Sequence, residues 1–286
     1  SAMQYGLFAK VPAAGPFCAA ASAACSFFPW RRTAFPPLFC NFAPAMIVNT
    51  DAIVLRAVKY GDSKLVVDMF TRQCGRLSFI VSVPRSGRGR IKKQYFQPLT
   101  QLSVACDVRP RLQLQRLGDA SMAYAYATLT ADSGKLAVAM FVAEFLCHAL
   151  RDEQQGGPLF DYLADSLQWL DSATGGYANF HLVFLMRLTR FLGFYPNLEG
   201  YAPGRCFDLR SGCFCDSAPV HSDYLAPGEA ALVGLMMRMD YATMHLFRLS
   251  RGERNRMVDV IVGYYRIHMA SFPELRSLAV LRSLFG

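Results

Sequence analysis

No run of 18 or more apolar residues free of a charge or a breaker occurs in the 286-residue chain, so no membrane-spanning helix is expected. None of the nine cysteines forms a Cys-x-x-Cys pair. Their scatter is not that of a secreted disulfide framework, and a chain this long does not need one. A reducing cytoplasm is the expected compartment. A Ser–His–Asp order, a G-x-S-x-G elbow, a G-x-x-x-x-G-K-[ST] loop and a G-x-G-x-x-G turn are all missing, which leaves nothing to support an enzyme. Acidic residues are absent from two stretches, residues 1–45 and Val81 to Gln101.

The first of these stretches differs in texture from the rest of the chain. It holds three charges (Lys10, Arg31, Arg32) among many Ala, Pro, Phe and Cys residues. A signal peptide places its positive charge first and then an unbroken apolar core. Here Pro12, Gly15 and Pro16 interrupt early and Arg31-Arg32 come late. We read Met46 as the biological start and residues 1–45 as upstream or tag-derived sequence, with a secretory leader as the alternative.

The second stretch, VSVPRSGRGRIKKQYFQPLTQ, concentrates charge of one sign. Arg85, Arg88, Arg90, Lys92 and Lys93 crowd between two apolar runs, with Arg72 and Arg76 just upstream. Ser86, Gly87 and Gly89 make it a loop rather than a helix. Such a loop can follow a phosphate backbone, because its N–H groups and its side chains both reach the anion. A solvated hairpin tip is the plainer alternative. The charge distribution favours nucleic acid. Residues 46–130 carry 13 basic against five acidic side chains, a net +8, whereas residues 131–286 carry 14 against 16, a net −2. That asymmetry suits a nucleic-acid module joined to a scaffold or interaction module.

Met46 to Leu117 reads as strands. Ile53-Val54-Leu55 opens one, Leu65 to Phe70 and Leu77 to Val81 follow, and Leu99 to Val104 and Leu112 to Gln115 alternate with period two. Turn signals separate them at Tyr60-Gly61-Asp62-Ser63 and at Gln73-Cys74-Gly75. Five short strands in about 70 residues suit a small antiparallel barrel, of which the OB-fold is the commonest. After Asp119 the pattern turns helical. Helices are expected over Ser133–Leu150, Leu159–Leu170, His181–Leu192 and Arg254–Met269, the last behind a Ser250-x-x-Glu253 capping box. A short helix should open at Pro273-Glu274. The fold class is α+β and multidomain: an OB-fold barrel over residues 46–125, then a mainly helical domain over 126–286 with an irregular insertion at 195–224.

Cys206, Cys213, Cys215 and His221 lie close together in that insertion, but as Cys-x6-Cys-x-Cys-x5-His. Structural zinc sites use closer pairs, so a β-hairpin with buried cysteines is expected and no cofactor is assigned. His148, His181, His245 and His268 read as core or boundary histidines. Asp161, Asp165 and Asp171, on or near one helix, read as a solvated helix face. Arg187 and Arg190, near Phe184 and Phe191, have the form of a site for an acidic peptide ending in an aromatic residue, although snorkelling alone would also explain them.

Three stretches carry a resemblance to one family. Tyr60-Gly61-Asp62-Ser63-Lys64-Leu65-Val66 runs into Phe70-Thr71 and Gly75-Arg76-Leu77. The basic loop ends in Phe96-Gln97-Pro98-Leu99. Leu192-Gly193-Phe194-Tyr195-Pro196-Asn197-Leu198 is followed by Cys206-Phe207-Asp208 and Gly212-Cys213-Phe214. In this order, over Met46 to Gly286, they resemble the bacterial RecO family of recombination-repair proteins. The resemblance implies an OB-fold and a helical domain that bind single- and double-stranded DNA and anneal complementary strands. It implies as partners RecR, the acidic C-terminal tail of single-strand-binding protein (SSB) and, indirectly, the recombinase RecA. It also implies a non-enzymatic role at the nucleoid. Arg72, Arg76 and the basic loop would be the DNA surface, and Arg187 and Arg190 the tail site. Many members carry a four-cysteine zinc site in the insertion, but here Tyr201 and Pro203 stand near the first pair's place. An RNA-binding OB-fold, an enzyme housed in the helical domain and a structural adaptor are the competing readings.

Overall fold

The computed structural model describes residues 46–83, 91–109, 111–153 and 156–283. Five strands, β1 (Met46–Tyr60), β2 (Lys64–Thr71), β3 (Gly75–Ser82), β4 (Gln101–Val108) and β5 (Leu114–Tyr124), close into a barrel in the order β1-β2-β3-β5-β4. β1 pairs antiparallel with both β2 and β4, and β3 meets β5 in parallel. This is the OB-fold arrangement expected from the strand count. Two boundaries differ from the sequence reading. β1 begins at Met46 rather than Ile53, because residues 46–53 pair along their whole length with β4. β5 runs on to Tyr124, past the expected change at Asp119.

The strands show why their apolar runs are longer than one buried face requires. Ala52, Val54, Val67, Met69, Phe79 and Val81 point into the barrel core. Their chain neighbours Ile53, Leu55 and Phe70 point outward, yet they are equally buried, because the helical domain covers them. A bulge between Val54 and Arg56 puts Leu55 and Arg56 in succession on the outer face. Leu99 joins the same cluster from a left-handed backbone (φ 65°) and donates its N–H to the Val54 carbonyl at 2.6 Å.

Six helices follow: α1 (Ser133–Ala149), α2 (Gly157–Ser172), α3 (Phe180–Phe191), α4 (Pro227–Arg238), α5 (Arg251–His268) and α6 (Leu278–Ser283). The capping box is formed on α5, with Ser250 Oγ accepting from Glu253 N and the Glu253 carboxylate accepting from Ser250 N. The helix expected at Pro273 starts only at Leu278. The Glu144 carboxylate instead accepts the N–H groups of Arg276 and Ser277 at 2.9 and 2.8 Å, which holds that stretch on α1 in non-helical form. The insertion is a three-stranded sheet of β6 (Cys206–Asp208), β7 (Cys213–Cys215) and β8 (Tyr224–Leu225), in the order β7-β6-β8. Among the described residues no helix is long and apolar enough to cross a membrane.

Barrel and helices belong to one compact unit, and their junction is polar as well as apolar. Asp68 accepts from Arg56 Nε at 2.7 Å, Arg76 Nη2 at 3.0 Å and Ser78 Oγ at 2.5 Å. Arg76 also donates to the Cys147 carbonyl on α1. Burial pushes the Asp68 carboxyl up, but Ser78 and the two guanidinium groups outweigh it and hold it below its ordinary value. Gln101 donates to Tyr126 Oη and to the Ala164 carbonyl and accepts from Gln168.

Candidate nucleic-acid interface

The end of the barrel away from the helices opens into a groove of about 960 Å³. Inward-facing positions past the last layer of the core (Ala57, Leu65, Val83, Ile91 and Phe96) form its apolar floor. Its rim is basic. Lys59 and Lys64 come from the β1–β2 hairpin, where Gly61 at φ 67° makes the turn. Lys92 and Lys93 come from the segment after β3, which forms a 3₁₀ turn over Lys93–Phe96. All four lysines are exposed, and none has an ion-pair partner among the described residues. Val83 N donates to the Ser63 carbonyl at 2.8 Å, which holds the two basic segments side by side. Phe96 is buried in the barrel core, as its neighbour Pro98 suggested, and Tyr95 is half-buried.

The predicted DNA residues separate into three groups. Lys92 and Lys93 lie on the groove. Arg85, Arg88 and Arg90 fall outside the described residues. Arg72 and Arg76 lie at the other end of β2, eight residues along and so about 25 Å away. Arg72 pairs with Asp161 of α2 at 3.0 Å. Arg76, only 13% exposed, is committed to Asp68 and Cys147 O. The structure thus places these two at the helical junction, not with the lysines. Lys59 and Lys64 were missed. They flank the Tyr60-Gly61-Asp62-Ser63 turn, and the hairpin implied by that turn would have brought them beside the basic loop.

Arg187 and Arg190 are both exposed on α3. Phe184 lies in the core and does not border them, whereas Phe191 is 37% exposed and stacks on Tyr162 at 4.9 Å. The Arg187 guanidinium lies over the Tyr241 ring at 5.8 Å. Tyr241, with Trp169, His245 and the Gly175-Gly176 turn, walls a pocket of about 260 Å³.

In the insertion, β6 and β7 form the expected hairpin, with Cys206 opposite Cys215 and Asp208 opposite Cys213. These side chains share one face, yet no three His, Cys, Asp or Glu groups among the described residues converge to hold a metal. The Cys215 thiol is engaged by the Cys206 carbonyl and the Cys213 thiol by the Ser211 carbonyl. Asp208 accepts from Arg210 N at 2.8 Å and lies 3.4 Å from His221. His181 departs from the expectation of a satisfied core histidine: its buried Nδ1 has no hydrogen-bond partner, and burial pushes its pKa down to about 3.

An OB-fold barrel with lysines at its mouth, packed against a helical domain, is an architecture found among polynucleotide-handling proteins. The chain belongs to the recombination protein O (RecO) family. Residues 46–126 match the model of the RecO N-terminal domain and residues 131–279 that of the C-terminal domain. Over 241 residues the chain is 48% identical to the DNA repair protein RecO of Phocaeicola vulgatus and 46% to that of Bacteroides fragilis. The Porphyromonas gingivalis protein of the same name is 34% identical over 246 residues. Each alignment covers 84% of this chain and all of the relative. Membership supports a role in DNA repair and recombination.

Proposed function

We propose that the protein is a non-catalytic recombination mediator that binds single- and double-stranded DNA through the barrel mouth and anneals complementary strands. It helps load RecA on SSB-coated gaps and works with RecR. The observation that carries this reading is the set of four exposed lysines on one open groove, without ion-pair partners among the described residues. A rim of point charges neutralises backbone phosphates without reading sequence. Two strands held by one basic surface repel each other less, and base pairing then supplies the specificity. The acidic tail of SSB would dock at Arg187 and Arg190, with an aromatic side chain entering the pocket beside Tyr241. No cofactor is needed for any of these steps.

The test is fluorescence anisotropy of a labelled single-stranded DNA across a salt series, with wild type beside the quadruple Lys59→Ala, Lys64→Ala, Lys92→Ala, Lys93→Ala variant. Each single-strand phosphate contact contributes a slope of about 0.7 log units per log of salt. Losing four should flatten the slope by about 2.8 and weaken binding of both single strands and duplexes. An unchanged slope would exclude the mouth as the DNA surface. A matched RNA that competes better than the DNA would favour the RNA-binding reading.

A further inference from the structure

Among the described residues, strand register sets one pair of cysteines face to face. Cys206 on β6 stands directly opposite Cys215 on β7. The other thiols have no such partner. Cys106 pairs with Val48 and Leu117, Cys213 with Asp208, and Cys74 and Cys147 lie in a turn and in α1. Cross-strand partners point to the same face with Cα atoms about 4.5–5.5 Å apart. A disulfide spans Cα separations of about 4.4–6.8 Å, so a bond here needs no change in strand spacing. Cys215 Sγ already points across the ladder, 3.7 Å from the Cys206 carbonyl oxygen. Both thiols are free. Cys206 is buried and Cys215 is half-buried, which gives the pair one accessible member.

The hairpin has reason to be fixed. Its two strands are three residues each, too short to be stable alone. It also carries contacts to the rest of the domain. Phe207 is 1% exposed and lies 4.9 Å from Phe214 and 6.4 Å from Tyr264 of α5, ring to ring. The Leu209 carbonyl oxygen is 2.8 Å from His268 Nε2 at the end of α5, and the Gly212 carbonyl accepts from Asn197 N at 2.8 Å. We propose that Cys206 and Cys215 form a redox modification site, closing to a disulfide by exchange with a low-molecular-weight disulfide and stapling the insertion. The Cys215 thiolate attacks the reagent disulfide, forms a mixed disulfide and releases one thiol. The Cys206 thiolate then attacks the Cys215 sulfur and releases the second. The protein gives up two electrons and two protons, and the reagent disulfide leaves as two thiols. Burial and the neighbouring Cys206, Asp208 and Asp216 hold the Cys215 thiol above its ordinary 9.0. The first step is therefore slow at neutral pH and quickens as pH rises. The site is independent of the DNA-binding reading, because the hairpin contributes no residue to the lysine groove.

The test equilibrates the full-length protein in dithiothreitol buffers of rising oxidised-to-reduced ratio, native and in urea. Samples are quenched in acid, alkylated and mapped by mass spectrometry of their peptides. Eight residues separate the two cysteines, so the unfolded chain also closes this loop to some extent and sets the baseline. Native protein should join Cys206 to Cys215 at a ratio about tenfold or more lower than the urea-unfolded chain needs, because the fold holds both thiols in register. The joined hairpin should also be cut more slowly by protease than the reduced one. Cys213→Ser should leave the bond unchanged, and Cys215→Ser should leave Cys206 a free thiol. If native protein instead joins Cys213 to either cysteine, or closes Cys206–Cys215 no more readily than the unfolded chain, the proposal is overturned. Mapping of the wild type alone decides this, so a variant that folds poorly does not shield it.

Discussion

Asp171, near the C-terminal end of α2, decides how the barrel is tied to the helices. A carboxylate is unfavourable at a helix C-terminus, and Asp171 is not on the solvated face that the sequence suggested but only 3% exposed; its position follows from what it holds. Its oxygens accept the N–H groups of Ala127, Thr128 and Leu129 at 3.0, 2.8 and 2.7 Å, and the Tyr124 hydroxyl at 3.3 Å. These donors belong to the end of β5 and the connection to α1. The buried Lys135 adds bonds from Nζ to Thr128 Oγ1 at 2.6 Å and to the Asp171 carbonyl at 2.8 Å. Asp171→Ala leaves three N–H donors without acceptors. Each stranded donor costs roughly 1–3 kcal/mol. Relaxation and entering water recover part of this, so a loss of about 3 kcal/mol is expected. With a urea m-value of about 2–3 kcal/mol/M, the midpoint should fall by about 1 M. Asp171→Asn keeps one acceptor oxygen and should lose about half as much, whereas the exposed Asp165→Ala should stay within about 0.5 kcal/mol. The effect should also depend on pH. Burial raises the Asp171 carboxyl, but the three N–H groups and Tyr124 outweigh it and hold it below the ordinary 3.8. A depressed pKa contributes stability that is full above the unfolded value and is lost as pH falls through the folded one. Urea midpoints of wild type and Asp171→Ala should therefore differ fully at neutral pH and converge below about pH 4. A midpoint shift under about 0.3 M at pH 7 would refute the clamp.

Gly156, at the start of α2, touches the β2–β3 turn: a Cβ there would overlap the carbonyl oxygens of Thr71 and Arg72 and lie 2.6 Å from the Arg72 carbonyl carbon. Backbone cannot yield as a flexible side chain can, so Gly156→Ala should push α2 off the barrel. The cost should be about 2 kcal/mol or more, read as a lower thermal midpoint and faster proteolysis at the junction, while Gly157→Ala, which meets nothing within 4 Å, is neutral. Reversing charge at Arg187 and Arg190 to Glu should abolish binding of a peptide with the acidic, Phe-ended SSB tail in calorimetry and leave naked-DNA affinity as in wild type. Loss of both together would mean misfolding or a wrong site.

Much of the barrel and most of the helices were legible because burial acts there on one residue type at a time. Short apolar runs marked β2 and β3, period-two alternation marked β4, and Ser250 with Glu253 marked the start of α5. α4 was passed over, although Pro227 at its first turn and Ala230, Val233 and Met236 at three-residue spacing carried the signal. The site was legible only in part, for a geometric reason. A cluster along the chain joined Arg72 and Arg76 to Lys92 and Lys93, but a strand carries its two ends far apart. A hairpin did the reverse, bringing Lys59 and Lys64 next to residues some thirty positions later. The outer face of the barrel could not be read at all without the register. Ile53 and Val58 look alike in sequence, and one is covered by helices while the other is bare.

The barrel also divides its cations by kind. Arg56 and Arg76 hold Asp68, Arg109 holds Asp107 at 2.8 Å, and Arg72 holds Asp161 of the helical domain. A guanidinium is planar and forked, suited to gripping a carboxylate in fixed geometry, whereas an ammonium is a hydrated point charge on a flexible stem. The four lysines of the mouth stand exposed in solvent, where the proposed partner is a mobile polyanion rather than a fixed protein carboxylate. Asp68 and Asp107 of this block thus neutralise arginines at the helical junction and on the barrel wall, while Asp62 lies on the mouth. Of the net +8 carried by residues 46–130, a large share falls on the end that the helices leave open. A uniformly basic barrel would attract DNA over its whole surface, including faces already used for docking. On the proposed reading, the paired Arg56, Arg72, Arg76 and Arg109 add little to that attraction, and the lysines of the mouth supply it.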